Sequence, residues 1–247
     1  MKSLLKRVLY GLGLEVRLRR NVEAHARREW EDKWCERWRP FVAHRPIRTI
    51  LDIGANAGQF ARLAHRLCPQ ARILSFEPLP DCFVELQRNL EVIPGARAFN
   101  VALGDHAGMV TMNRSAFTPC SSLLAGTADL GRDIPAAAAV SQVSVPLLRL
   151  DDILADAGVD DELLIKMDVQ GFEPQVIRGG PAAFRRASIV ATEVCFCRPL
   201  YQGQPLFDDL YGTLRGLGFA FMGNAEQQAS LTDARVVEAD AIFERAR

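Results

Sequence analysis

The sequence predicts an α/β domain built on a doubly wound, mostly parallel sheet, and three observations carry that expectation. From residue 47 onward, short apolar runs alternate with segments of helical periodicity, the pattern of strands joined by crossover helices. The run Ile50-Leu51-Asp52-Ile53 leads through a glycine-bearing turn into Phe60, Leu63, Ala64 and Leu67, which recur at i, i+3, i+4 and i+7. A second apolar run ends on Glu77, twenty-five positions after Asp52. That spacing is close to the roughly 20 residues at which a βαβ unit places its ribose-binding acid.

The first strand is expected over 48–53 and its helix over 58–68. The second strand covers 71–76, and a helix over 81–90 follows, with Asp81 as its N-cap and Phe83, Leu86 and Leu90 facing inward. Pro94-Gly95 turns the chain into a third strand over 97–102. The alternation then breaks. Residues 109–113 and 143–148 read as short strands around a long loop rich in Ser, Ala, Pro and Gly, which should hang over the carboxyl ends of the strands, where open α/β sheets bind ligands. Asp151-Asp152 reads as the cap of a helix over 153–157. The fourth strand is 163–167, with Asp168 to Gly171 as its exit turn and Pro174 in the next helix, which Gly179-Gly180-Pro181 stops. The fifth strand, 187–193, ends on Glu193; a helix marked by Leu210, Leu214 and Leu217 precedes two last strands at 219–222 and 239–244.

A chain of 247 residues holds one such domain with elaborations. Formal net charge is zero, yet residues 1–48 carry 13 Lys/Arg against 6 Asp/Glu, leaving +7 there and −7 in the remainder. The expected division is a basic amphipathic helical extension at 1–46 and a ligand-binding domain at 47–247. Leu4, Leu5, Val8, Leu9 and Leu12 form an apolar face, but Lys6 and Arg7 interrupt any signal-peptide core, and no run approaches a membrane span. Two readings of the extension stay open: a helix packed on the domain or on a sister subunit, and a basic helix lying on an anionic membrane surface. Trp30, Trp34 and Trp38 at i, i+4 and i+8 fit a packing face. The six cysteines lack the spacing of a disulfide scaffold or zinc site, which points to reduced thiols and a cytoplasmic protein, peripheral at the inner membrane face on the second reading.

The turn Gly54-Ala55-Asn56-Ala57-Gly58 lets backbone approach a nucleotide-like ligand. Asn56 stands where a dinucleotide fingerprint requires its second glycine, which argues against NAD. Asp52 would repel a pyrophosphate and attract an ammonium group. The ligand this predicts is S-adenosylmethionine, its amine near Asp52 and its ribose diol on Glu77.

The chain resembles the FkbM-type S-adenosylmethionine-dependent methyltransferases. The resemblance rests on Asp52-Ile-Gly-Ala-Asn-Ala-Gly58, Phe76-Glu77-Pro78, Asn100-Val-Ala-Leu-Gly-Asp105, Ser121-Ser122-Leu123, Leu150-Asp151-Asp152, and Ile165-Lys-Met-Asp-Val-Gln-Gly-Phe-Glu173, over roughly residues 47 to 245. It implies a class I methyltransferase, a Rossmann-like sheet whose last strands pair antiparallel at one edge. It implies cofactor contacts at Asp52, Gly54, Ala55, Asn56, Gly58, Glu77, Pro78 and Asn100, and favours a sugar, glycan or polyketide-type natural product as acceptor. One departure stands out: the family usually has Glu where this chain has Gln170.

Methyl transfer to a hydroxyl requires alignment and a group that takes the acceptor's proton. Asp168, closing the fourth strand, is the first candidate base, and Glu193, closing the fifth, is the second. Lys166 lies on the same strand face as Asp168 and would keep a carboxylate ionised. Glu173 is a further candidate or a helix N-terminal acid. Asp168 and Glu193 are also candidates for holding Mg²⁺. Ser121 and Ser122 are candidates for touching acceptor hydroxyls, and His106 is an outlying candidate base. Two rivals remain: a nitrogen- or nucleic-acid-directed methyltransferase, disfavoured by the −7 balance of the domain and the Asp168-Val-Gln-Gly exit, and a non-catalytic cofactor-binding scaffold.

Overall fold

The computed structural model describes residues 19–138, 140–159, 161–229 and 234–246. The expected apolar face at Leu4 to Leu12 lies outside the described residues, as does most of the basis for a membrane-surface helix. In chain order, α1 (Arg19–Val42) precedes β1 (Thr49–Ile53), α2 (Gln59–Leu67), β2 (Arg72–Phe76) and α3 (Pro80–Leu90). Next come β3 (Arg97–Phe99), β4 (Ala102–Leu103) and β5 (Gly108–Ser115), then α4 (Ala128–Asp133) and β6 (Val140–Leu148). The second half runs α5 (Leu150–Ala157), β7 (Leu163–Met167), α6 (Glu173–Gly179), α7 (Pro181–Arg186) and β8 (Ala187–Cys195). It closes with α8 (Phe207–Gly216), β9 (Phe219–Ala229) and β10 (Val236–Arg245).

Seven strands form the main sheet in the order β3-β2-β1-β7-β8-β10-β9. β1, β2, β3, β7 and β8 run parallel, and β10 pairs antiparallel with both β8 and β9, which makes the antiparallel edge the resemblance implied. β1 and β7 sit centrally and are apolar except for Thr49, Asp52 and Lys166, as strands covered on both faces must be. Asp52 and Lys166 are therefore costly exceptions in the middle of the sheet, and their position calls for a reason.

Two sequence expectations change here. The third strand stops at Phe99, and Ala102-Leu103 leaves the main sheet to join a second sheet of order β4-β6-β5. The break falls at Asn100, whose side-chain amide donates to the carbonyls of Glu77 (2.9 Å) and Pro78 (3.0 Å) and pulls the chain toward the tip of β2. The two short strands expected around the long loop form an eight- and nine-residue hairpin, and the loop itself carries α4 and short helical turns at 118–120 and 135–137. This small sheet covers the carboxyl ends of β1 and β2.

The helices fill both faces of the main sheet. On one face Trp34 and Trp38 of α1 stack at 4.7 Å, and both meet Phe60 of α2 edge-on, over Ile50 and Leu164. Trp30, expected on the same packing face, is 47% exposed. On the other face Leu51, Ile53, Ile165 and Met167 pack beneath α5, α6, α7 and α8. Two expected caps move. α3 starts at Pro80 with no side-chain cap, and Asp81 pairs with Arg114 instead. Asp151 accepts from the amides of Ala182 (2.8 Å) and Ala183 (2.9 Å), so it caps α7 across the core and not its own helix.

Candidate active site

The carboxyl ends of β1, β2 and β7 open into a cavity lined from all three strand tips, by Gly54, Glu77 and Asp168 among others. Gly54 and Asn56 of the turn after β1 form its floor. Gly54 adopts φ +80°, and a Cβ there would lie 1.9 Å from the carbonyl oxygen of Asp168, so only glycine lets β1 and β7 close at this point. Asn56, at φ +46°, accepts from Ala57 through its side chain and donates to Thr118 Oγ1 (3.2 Å), tying the turn to the loop above. Apolar walls come from Ile53, Phe76, Val101, Leu103 and Met112, and Thr118, Pro119 and Ser121 bring the long loop over the opening.

Glu77 stands at the rim of this cavity, 4% exposed. One carboxylate oxygen accepts from the amide of Asn56 and the other from that of Leu79, both at 2.8 Å. Burial still outweighs those bonds and pushes the carboxyl up to about 7. Each oxygen retains a free lone pair, and the two lie side by side, which suits a vicinal diol. An apolar slot beside such an acid fits an adenosine. Pro78 lines the same rim, whereas Asn100 holds the rim from behind.

Asp52 does not line the cavity. It is fully buried on the opposite face of β1, with Ser75 Oγ at 3.4 Å, no hydrogen bond to Oδ1, and Lys166 Nζ at 4.0 Å. The expected direct meeting of Asp52 with a ligand ammonium is therefore not what the fold provides. Burial raises its carboxyl to about 6, and the Lys166 ammonium opposes that rise. Ala55 and Gly58 are also behind the cavity: Ala55 donates to the carbonyl of Phe76 (3.0 Å), and Gly58, at φ +82°, starts α2 against Leu86.

Lys166 Nζ bonds Asp168 Oδ2 at 3.1 Å and lies 5.7 Å over the Phe60 ring. Burial works against its charge, but Asp168, Asp52 and Asp240 together hold its pKa above the ordinary lysine value. Asp168 lines the cavity with a third of its side chain exposed (35%). Its other oxygen, Oδ1, accepts from Gln170 Nε2 at 2.7 Å. The same nitrogen donates to Glu193 Oε2 at 2.6 Å, and Gln170 Oε1 faces the Tyr201 hydroxyl at 2.8 Å. Gln170 thus joins the two expected candidate bases, which face different openings. Asp168 faces the cavity. Glu193 faces an open cleft shared with Glu226, Glu238 and Asp240, and its carboxyl is pushed well up by burial and then by Asp168.

The remaining candidates have structural partners. Glu173 is 2% exposed and accepts from the amides of Val169 and Gly171, both at 3.3 Å, fixing the exit turn of β7. Ser121 accepts from the amide of Ser115, and Ser122 donates to the Gln170 carbonyl at 2.7 Å. His106 bonds Asp105, which also takes Arg178, on the surface and away from the cavity. Among the described residues no group of three or more His, Cys, Asp or Glu is arranged to hold a metal. The donor set does not fit Mg²⁺: Asp168 and Glu193 each commit an oxygen to the same amide.

Sequence reasoning missed Tyr201 and the apolar lid residues. Tyr201 follows no motif, and Met112 sits on a strand where its partner, Val143, is 31 residues away. The Gln170 departure was the one available signal for the bridge.

Residues 52–221 match the family described as the methyltransferase FkbM domain. The chain is 31% identical to 2-O-methyltransferase NoeI of Sinorhizobium fredii over 179 residues, 66% of this chain and 69% of that protein. It is 26% identical to 31-O-demethyl-FK506 methyltransferase FkbM of Streptomyces tacrolimicus over 223 residues, 80% of this chain and 82% of that one. Its fold is similar to the crystal structure of methyltransferase FkbM from Methylobacillus flagellatus, with a TM-score of 0.51 at 15% identity, over 81% of this chain and 44% of that chain.

Proposed function

The chain belongs to the FkbM-domain methyltransferase family, and on that premise we propose that it transfers a methyl group from S-adenosylmethionine to a hydroxyl oxygen of a glycan or natural product, with Asp168 as the base. The observation that carries the residue assignment is that Glu77 and Asp168 open on one cavity from the tips of β2 and β7, the strands on either side of β1, one suited to a ribose diol and the other to a proton. The names of two relatives, a 2-O-methyltransferase and a 31-O-demethyl-FK506 methyltransferase, support oxygen as the methylated atom.

When bound, the donor supplies an electrophilic methyl group on a sulfonium. The chain's own residues do the rest. Glu77 and Pro78, with the turn at Gly54 and Asn56, hold the nucleoside, while Asn100, Ala55 and Gly58 fix the backbone behind them. Asp168 accepts the hydroxyl proton as the oxygen attacks, and alignment in the closed cavity supplies much of the rate. Lys166, 3.1 Å from Asp168, holds that carboxylate in place, and Asp52 shares the same lysine. Glu193 is a second carboxylate behind the base, joined to it through the Gln170 amide.

The N-terminal segment belongs to the same proposal: the stretch of α1 from Glu31 to Val42 serves as a packing helix for the domain that begins at residue 47. No helix of the described residues is long and apolar enough to cross a membrane.

The test is methyl transfer from tritium-labelled S-adenosylmethionine to a panel of neutral and uronic oligosaccharides, macrolide alcohols, amines and RNA. Mass spectrometry should locate the label on a hydroxyl oxygen. Label confined to amines or RNA would overturn the reading.

A further inference from the structure

We propose that Gln170 is a positioning residue whose amide, pinned by Tyr201, stands where a cation would otherwise be needed between Asp168 and Glu193. Four observations carry this. Nε2 has two hydrogens, and the two carboxylates at 2.7 and 2.6 Å use both. The amide oxygen is turned away toward the Tyr201 hydroxyl at 2.8 Å, a phenol that also lies 3.0 Å from the Cys120 carbonyl and is 2% exposed. The backbone of Gln170 sits at φ +53°, a left-handed conformation that L side chains rarely adopt. Ser122 holds that backbone by donating to its carbonyl at 2.7 Å. A strained residue kept in place from three sides is the arrangement that functional constraint leaves behind.

The charge balance gives the reason. Around Glu193 stand Asp168 on β7, Glu173 at the start of α6, Cys195 on its own strand, Glu238 and Asp240 on β10, and the Cys120 thiol and Tyr201 phenol from the loops. Lys166 faces two members of this group, Asp168 and Asp240, and bonds Asp168. Two neighbouring carboxylates normally force one to stay protonated or recruit a cation. A primary amide supplies two donors without adding charge. With Glu at position 170, three carboxylates would converge, and the site would become a cation site. The catalytic meaning of the inference rests on the reading of Asp168 as base, but its test needs no acceptor and no turnover.

The experiment follows the Glu193 carboxyl carbon by ¹³C NMR across pH, assigned by comparison with Glu193→Gln, in the chain saturated with S-adenosylhomocysteine. In Gln170→Met the proton affinity of Glu193 should rise at least tenfold, since a similar shape remains without donors. Tyr201→Phe, which deletes only the hydroxyl, should shift it in the same direction by a smaller factor. Calorimetry with MgCl₂ should detect binding at least tenfold tighter to Gln170→Glu than to the unaltered chain. A Glu193 midpoint unmoved in Gln170→Met and Tyr201→Phe overturns the proposal, as does equal magnesium affinity in the two chains. Should the position 170 variants fail to fold, the Tyr201→Phe midpoint decides alone. Loss of turnover in Asp168→Asn alongside unmoved Glu193 midpoints would leave the base assignment standing while this inference falls.

Discussion

Asp52 and Lys166 are paired in register across β1 and β7, yet Nζ stands 4.0 Å from Oδ1 of Asp52 and leans to 3.1 Å from Asp168. One buried ammonium thus serves two carboxylates, one sealed in the core and one at the cavity. Lys166→Met should cost about 3 kcal/mol of stability, the scale for stranding buried carboxylates. Adding Asp52→Asn should recover part of it, because the sealed charge is then gone. Urea unfolding of the two single variants and the double variant measures this directly, and strictly additive losses would mean that the pair does not interact.

Glu77 sets a pH dependence. Its carboxyl is held up at about 7 by burial, above the usual 4.5, and the ribose hydroxyls would donate to its ionised form. Affinity for S-adenosylhomocysteine should therefore be level above pH 7 and fall below it, by up to about tenfold per unit for a single coupled proton. Without ligand the sign reverses for stability. The folded state binds the Glu77 and Glu173 protons more tightly than the unfolded one, both carboxyls being raised to about 7. Their stabilising contribution is complete below about pH 4.5 and is lost as pH rises through about 7. Calorimetric titrations and thermal melts between pH 5 and 8 should show the two opposite slopes.

Gly54→Ala should be among the most damaging single changes. The added methyl would meet the Asp168 carbonyl oxygen, and φ +80° is unfavourable for alanine. A loss of about 2–4 kcal/mol is expected, with a widened cavity floor. A melting temperature within about two degrees of the unaltered chain would show that β1 and β7 separate there without cost.

Trp38→Ala tests whether α1 is part of the domain. Trp38 is 2% exposed between Trp34 and Phe60. Truncating a buried tryptophan costs about 3–5 kcal/mol. A change below about 1 kcal/mol would make the helix a detachable appendage and revive its use as a membrane or partner helix.

Much of this was legible in the sequence because periodicity and turn chemistry are local. The β1 turn and helix, the acid at the tip of β2, and Asp168 at the exit of β7 all fall within motifs of a few residues. What was not legible depends on directions that only the assembled sheet decides. Asp52 alternates to the face away from the cavity, although its place in the motif reads as ligand-facing. Asp151 caps a helix 30 residues on, and an acidic pair before an apolar helix gives no hint of it. Asn100 breaks the third strand by bonding backbone at Glu77 and Pro78. Tyr201 reaches Gln170 from a loop with no periodicity.

The most direct measurement compares Asp168→Asn with Glu77→Gln, using calorimetry with S-adenosylhomocysteine and kcat with the acceptor that the labelled panel identifies. Asp168→Asn should keep the dissociation constant within about threefold and lower kcat by about 10²–10⁴, the usual share of a general base, while Glu77→Gln should weaken binding by about tenfold or more, the loss of two charge-assisted hydrogen bonds. Undiminished turnover in Asp168→Asn, or unchanged binding in Glu77→Gln, would contradict the account.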